Sequence, residues 1–418
     1  MYIFNRHFTI SKKLNYGVYN DMQEQQFLLS IIIPTRNRQK YAVQAVRQIE
    51  CIDKRIQIIV HDNSDDNCLE GLLGRHSNNI IYKHVAHRIS AVENYNMAAS
   101  YATGRYFMAL GDDDTILPNI IECIEWMEKN KIDAVKPSKY LSYNWPNSDF
   151  IQKKQMGYLW IERFSGNVQL CDTKDTIKVL LGNGGQGYLD LPMVGSYHCI
   201  VTLKSMKRIY AITGKYYGGC SPDIYSAVCL SLLDNIKCVE IDFPVTLPGV
   251  CPTSTSADAM LGKHSGKLEE APQFIGMLNY QWEEMIPRYY TVETVWAETA
   301  LKAIKDMGKS EYINNFFDRG RLIDHMIKNN YLYDKEVMNF VNLTENKKES
   351  YYNVKERNKS ILKLRKMAKS IFSKLEIISG RRKIFYCRDI EKAVEYVNSY
   401  LCTRNNKTKW NKIMGQNF

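Results

Sequence analysis

The sequence predicts an α/β chain built on a doubly wound, mostly parallel sheet, and three observations carry that expectation. Short apolar runs lie at 28–33, 57–60, 80–82 and 106–110. They do not alternate with polar residues, as strands covered on both faces require. Helical patterns at 39–50, 90–101 and 118–130 separate the runs and extend past the last one, giving the strand–helix order of a parallel sheet. Polar clusters at 35–38, 62–66 and 112–114 follow three of the runs, at the carboxyl ends of strands where such sheets bind ligands.

Each element has its own signal. The first run is closed by Pro34, the second by His61-Asp62-Asn63-Ser64-Asp65, and the fourth by Gly111. The third run, 80–82, is the weakest. Pro118 suits the first turn of the helix that follows it. From 138 to 265 the pattern is less regular. Its glycine-rich stretch, 182–187, has no Walker lysine and no GxGxxG spacing after a strand, so a flexible loop is expected there. Ser221-Pro222-Asp223 opens another helix, with Ser at the cap and Pro in the first turn. From about 267 the chain reads as helical to its end. Ile361, Leu364, Ala368, Ile371, Leu375 and Ile378 form a helical stripe, with Lys363, Arg365, Lys366, Lys369 and Lys374 on the other faces.

Composition narrows the classes. At about 150 residues per domain, 418 residues suggest two or three units. The apolar fraction of 45% and charged fraction of 24% are ordinary globular values. The net charge is +11, but thirteen Lys/Arg against three Glu between 347 and 383 account for +10 of it. A near-neutral body argues against a nucleic-acid partner. The basic segment keeps open an anionic membrane surface, a helix packed on the core, and an oligomer contact. Eleven cysteines are scattered without a CxxC pair, which favours a reducing compartment. No apolar signal core occupies the first 26 residues, and no apolar run reaches the ~20 residues of a spanning helix. A cytoplasmic protein is expected, with attachment to the inner face of the cell membrane as the extended reading.

The chemistry centres on Asp112, Asp113 and Asp114. Three adjacent carboxylates repel one another when unpaired. A hard divalent cation relieves that repulsion, and Mg²⁺ is commonly held by one or two carboxylates together with substrate phosphates. One Asp would serve as a turn or helix cap, and three exceed that need.

At these residues the sequence resembles family 2 glycosyltransferases of the GT-A fold. The opening strand Leu29-Ser30-Ile31-Ile32-Ile33-Pro34-Thr35-Arg36-Asn37-Arg38 is similar, as is Val60-His61-Asp62-Asn63-Ser64-Asp65-Asp66 at the second strand end. So are Asn94-Tyr95-Asn96-Met97-Ala98-Ala99 with Ala102-Thr103-Gly104-Arg105-Tyr106, and Leu110-Gly111-Asp112-Asp113-Asp114 with Pro118 following, which resembles the DxD motif. The likeness covers about 27–265 and is sharpest to about 137. It implies that Pro34, Thr35 and Arg38 border the nucleotide, and that Asp62 binds the base or ribose with Ser64 nearby. Arg88 and Asn96 would hold the nucleotide or order the strand ends, Asp112 would face the ribose, and Asp113 and Asp114 the metal. Aligned on Pro118, the usual first Asp of the motif falls on Gly111, while Asp112-x-Asp114 is the other register. Asp113 is the first choice of ligand.

The resemblance also implies a general base at the start of a helix after a loop, a position that Asp223 fits. Asp190 and Asp242 are weaker rivals. His264, between Gly262 and Gly266, would complete the metal shell, with His198 the other candidate and better suited to a buried structural role. The implied activity is an inverting, Mg²⁺- or Mn²⁺-dependent transfer from a nucleoside diphosphate sugar, UDP-linked by first expectation. The acceptor would be a saccharide or lipid-linked saccharide in bacterial surface polysaccharide synthesis, such as O-antigen or capsule. A non-catalytic sugar-nucleotide or polysaccharide-binding protein and a nucleotidyltransferase are the alternatives. The expected organisation is an extension at 1–26 and a GT-A domain at 27–265 (nucleotide-binding half 27–137, acceptor half 138–265). A helical extension at 266–346 and a basic amphipathic helical tail at 347–418 follow.

Overall fold

The computed structural model describes residues 27–74, 77–137, 141–147, 156–254, 265–271, 274–275, 277, 280–328 and 382–418. Its centre is an eight-stranded sheet in the order β3-β2-β1-β4-β10-β6-β11-β9. These strands are β1 (Leu29–Thr35), β2 (Ile56–Asp62), β3 (Ile80–His84), β4 (Tyr106–Ala109), β6 (Ala134–Pro137), β9 (Val168–Leu170), β10 (Ile200–Thr202) and β11 (Cys238–Ile241). β3, β2, β1 and β4 run parallel to one another. β10 runs antiparallel between β4 and β6.

The apolar runs form strands because both faces are covered. Ile31, Ile33, Ile58, Val60, Met108 and Leu110 point to one side and pack with α1 (Gln39–Glu50), α2 (Cys68–Leu73) and α4 (Ile120–Asn130). Ile32, Ile59, Phe107 and Ala109 point to the other. There they meet α3 (Ala91–Ser100), α5 (Thr173–Gly182), α6 (Leu203–Thr213) and α7 (Pro222–Leu232). The period-2 geometry of a strand divides one run between two cores. α1 has the expected bounds. α2 carried no signal in the sequence reading, and Pro118 precedes the first turn of α4 rather than lying within it.

Two short strands frame the carboxylates. β5 (Thr115–Ile116) pairs with β12 (Thr246–Leu247). β13 (Gly249–Val250) joins a second sheet in the order β13-β7-β8-β16, where β7 is Leu141–Asn144, β8 is Gly157–Glu162 and β16 is Arg382–Cys387, while β14 (Ser265–Gly266) and β15 (Tyr290–Thr291) pair with each other.

The glycine-rich stretch is a packed helix cap rather than the expected flexible loop. Gly184 and Gly185 adopt φ of 65° and 77°, and their amides bond to Leu181 and Leu180 at the end of α5. A Cβ on Gly185 would lie 2.8 Å from the Cα of Ala297. Ala297 belongs to α8 (Val292–Asp306), which enters the main core through Ala297, Ala300, Leu301 and Ile304. α9 (Glu311–Phe316) and α10 (Arg319–Lys328) pack behind it.

The end of the chain corrects the expected tail. The stripe at 361–378 and most of the +10 segment lie outside the described residues, as do 1–26. Within 382–418, however, the chain is not a continuous helix. β16 pairs antiparallel with all of β8, Arg382 bonds Glu162 (Nε to Oε1, 3.0 Å) and its guanidinium covers Trp160. The Ile384-Phe385-Tyr386 core of this segment favours a strand. α11 (Ile390–Leu401) and α12 (Arg404–Met414) then return to the body. Trp410 of α12 packs on Phe243 and donates to Glu122 of α4 at 2.5 Å. Trp410→Ala should cost about 3–5 kcal/mol, measured by chemical denaturation of the full chain.

Candidate active site

The site is built at the carboxyl ends of β1, β2 and β4. The first two loops are stitched together. Asn37 N donates to Ser64 Oγ at 2.7 Å, and Arg36 meets Asp65 at 2.5 Å. Asn94 of α3 reaches Thr35 O with its amide and faces His61 Nδ1 through Oδ1. The neighbouring Thr35 hydroxyl donates to Asp112 Oδ2 at 2.6 Å. Arg38 Nε approaches the same oxygen at 3.1 Å, and its Nη1 lies 3.9 Å from Asp113 Oδ2.

The three carboxylates have different environments. Asp114 is saturated: Gly249 N bonds Oδ1 at 2.7 Å, while Gly111 N, Tyr197 Oη and His198 Nε2 bond Oδ2 at 2.7, 2.7 and 3.0 Å. Burial opposes its ionisation, yet His198 and these donors hold it at about 2. Asp113 Oδ2 accepts from Cys251 N at 2.9 Å, while its Oδ1 receives no hydrogen bond among the described residues. Burial first, then repulsion by Asp114, pushes Asp113 up to about 7. Asp112 is completely buried, and its Oδ1 has no hydrogen-bond partner among the described residues. Burial raises its pKa against the pull of Arg38 and Thr35. Arg38 is itself pulled down by burial, but Asp112 and Asp113 outweigh this and keep it charged.

Gly111 is required here by space. A Cβ at this position would lie 2.8 Å from Asp114 Oδ2, 3.0 Å from Asp113 Oδ1 and 3.1 Å from the Tyr197 hydroxyl. An aspartate side chain could not occupy it without displacing the row.

The donors Asp112 Oδ1 and Asp113 Oδ1 fit a hard cation: both are carboxylate oxygens without a hydrogen bond from a described residue, and proximity makes their charges repel. No cluster of three His, Cys, Asp or Glu groups among the described residues could hold a metal ion. Two carboxylates suit a cation that takes its remaining ligands from phosphate and water. Asp114, expected as a ligand, is instead spent on protein donors. His264 lies outside the described residues. His198 is buried, as expected, and it also meets Asp114 Oδ2 at 3.0 Å through Nε2 and Thr246 Oγ1 at 3.1 Å through Nδ1.

The other expected residues divide. Pro34 is paired within β1. Asp62 is fully buried and accepts from Ser64 N at 2.8 Å and Tyr82 Oη at 3.0 Å. Arg88 is exposed. Asn96 is committed to another loop: its amide and carbonyl clamp the backbone of Tyr216 and Tyr217. Asp242 is taken up by Ser165, and Asp190 is exposed.

Asp223 lies in the first turn of α7. Ser221, the N-cap, leaves the helix amides and donates its hydroxyl to Asp223 Oδ1, while Tyr188 Oη donates to Oδ2. Tyr188 is fixed by edge contact with Trp296 of α8. The loop before Asp223 rests on the same helix, Cys220 N bonding Thr299 Oγ1 at 3.0 Å. Each carboxylate oxygen keeps a further acceptor site after these bonds. Tyr188, Tyr197 and Cys251 were missed because no local motif marks them; only the converging fold does.

Residues 30–179 match the model of glycosyl transferase family 2. A glycosyltransferase named GlyG from Streptococcus pneumoniae serotype 4 (strain ATCC BAA-334 / TIGR4) is 29% identical over 127 residues, 29% of this chain and 42% of that protein. The match thus spans less than half of that relative. S. aureus TarS 1–349 is similar in structure at a TM-score of 0.39 and 12% identity, covering 72% of this chain and 80% of that one. Its complex with UDP-GlcNAc gives 0.43 and 13%, covering 75% and 79%.

Two outcomes follow from the unequal carboxylates. Asp114→Asn should cost about 1–3 kcal/mol or more, as stripping a buried carboxylate from its donors does, whereas Asp113→Asn should leave stability unchanged or higher; chemical denaturation separates them. Behind the Asp223 loop, Glu298 of α8 accepts from Tyr280 Oη and Glu283 N, and burial raises it to about 7. The folded state therefore holds a proton that the unfolded state, titrating near 4.5, has lost. Stability should fall as pH rises through that window. Glu298→Gln should show a smaller Tm difference between about pH 5 and pH 8 in thermal melts.

Proposed function

We propose that the chain is an inverting, divalent-cation-dependent glycosyltransferase. It would take a sugar from a nucleoside diphosphate, UDP by first expectation, to a hydroxyl of a saccharide or lipid-linked saccharide in bacterial surface polysaccharide synthesis. The observation that carries the reading is the division of labour in the carboxylate row. Asp114 anchors the loop, while Asp112 and Asp113 each keep an oxygen without a donor among the described residues at the sheet's ligand-binding edge. The family match over 30–179 supports the reaction class. GT-A is the fold assigned to 27–265, and the described part of 266–328 contributes α8 as the support of the Asp223 loop.

Asp112 and Asp113 would hold Mg²⁺ or Mn²⁺, which when bound supplies positive charge against the leaving diphosphate. Arg38 keeps the row from accumulating unpaired negative charge, and Thr35 orients Asp112. Asp62, Ser64 and Arg88 border the nucleotide. Asp223 takes the proton of the acceptor hydroxyl as that oxygen attacks the anomeric carbon. The bond between that carbon and the diphosphate oxygen breaks on the opposite face, and the electron pair leaves with the diphosphate. One displacement inverts the configuration. Tyr188 and Ser221 fix the Asp223 carboxylate before the acceptor arrives.

In a thermal-shift screen, one nucleoside diphosphate should stabilise the full chain only with Mn²⁺ present. Asp223→Asn should lower kcat by about 10²–10⁴ while that stabilisation persists. Undiminished turnover in the variant, or in excess EDTA, would remove the base or the cation from the mechanism.

A further inference from the structure

Helix α3 carries three residues with three different tasks. Asn94 is tied to the end of β1 and to His61. Asn96 is tied to the backbone of Tyr216 and Tyr217, just before the Asp223 loop. Between them, Tyr95 has its ring held edge-on to Tyr217, centroids 5.3 Å apart. Its hydroxyl makes no hydrogen bond among the described residues, although the side chain is only partly exposed.

The surrounding phenols behave differently. Tyr188 Oη is committed to Asp223, Tyr197 Oη to Asp114 at 2.7 Å, and Tyr217 Oη to Ser196 Oγ at 2.9 Å. Tyr95 is the member of this group that keeps its donor unspent. Burial foremost, then Tyr217 and the carboxylates of Asp223, Asp114 and Asp112, raises its pKa well above the ordinary value. The phenol therefore remains protonated, as a donor, and it lies in the field of both the general-base side and the carboxylate row.

We propose that the Tyr95 hydroxyl donates a hydrogen bond to the transferred sugar, seating it between Asp223 and the carboxylate row. This rests on the glycosyl-transfer reading above. The clamps at Asn94 and Asn96 tie the helix to the end of β1 and to the backbone before the Asp223 loop, so the phenol is positioned before the donor binds. A preorganised donor of this kind acts on the reacting sugar while contributing nothing to the nucleotide.

The test is Tyr95→Phe in the full chain, which removes one oxygen and keeps the packing on Tyr217. With Mn²⁺, the probes are UDP, for binding, and UDP-GlcNAc, UDP-glucose and UDP-galactose, for hydrolysis and transfer. The expected result is a Kd for UDP within about twofold of wild type and an unchanged Tm, with kcat/KM for the UDP-sugar that wild type uses falling about tenfold, as for one lost hydrogen bond to substrate. An unchanged kcat/KM would overturn the proposal. So would a weakening of UDP binding equal to the loss in kcat/KM, which would place Tyr95 in the nucleotide site. If wild type itself binds no UDP and consumes none of these UDP-sugars, the UDP-linked donor reading fails, and the proposal with it.

Discussion

The clasp on Asp114 is the interaction on which the rest of the site depends. Its carboxylate gathers donors from three separate parts of the chain: Gly111 beside it, Tyr197 and His198 before β10, and Gly249 at β13. Four donors on one buried anion offset the desolvation that would otherwise forbid it. With Asp114 satisfied, Asp112 and Asp113 are left in an environment that disfavours their charges. The protein thus concentrates stability in one member of the row and chemical potential in the other two.

The route by which Tyr197 and His198 arrive explains the sheet's one reversal near the centre. A purely parallel continuation would carry the chain away from the row on a crossover. β10 instead enters antiparallel between β4 and β6. The residues just ahead of it then lie at the same end of the sheet as the residues just after β4. Ser196 O receives the amide of Ala109, and Ala109 O receives that of His198. The left-handed backbone at His198, φ 58°, is part of this approach. On the opposite side, α8 supports the Asp223 loop through Thr299 and Tyr188 through Trp296.

Much of this was legible in the sequence where the signal is local. β1, β2 and β4 read as unalternated apolar runs because helices cover both of their faces. α1 read correctly because Tyr41, Ala42, Ala45, Val46 and Ile49 repeat at helical spacing. The row itself was legible as an excess of charge. Its internal roles were not, since Asp112, Asp113 and Asp114 are identical until His198 and Gly249 distinguish them from far along the chain. Asn96 illustrates the same limit: the amide next to a recognisable motif serves a loop some 120 residues later. β16 was hidden because an edge strand takes its identity from its partner, and the basic helical pattern upstream invited extension through it.

That edge strand has a consequence for how the protein is made. Arg382 finds Glu162 across a separation of 220 residues. At 5–20 residues per second, β8 emerges from synthesis about 10–45 s before β16 exists. During that interval one side of β8 offers unpaired backbone groups, the feature that invites association between chains. The ordering of translation therefore exposes a sticky edge that only the last segment of the described chain closes.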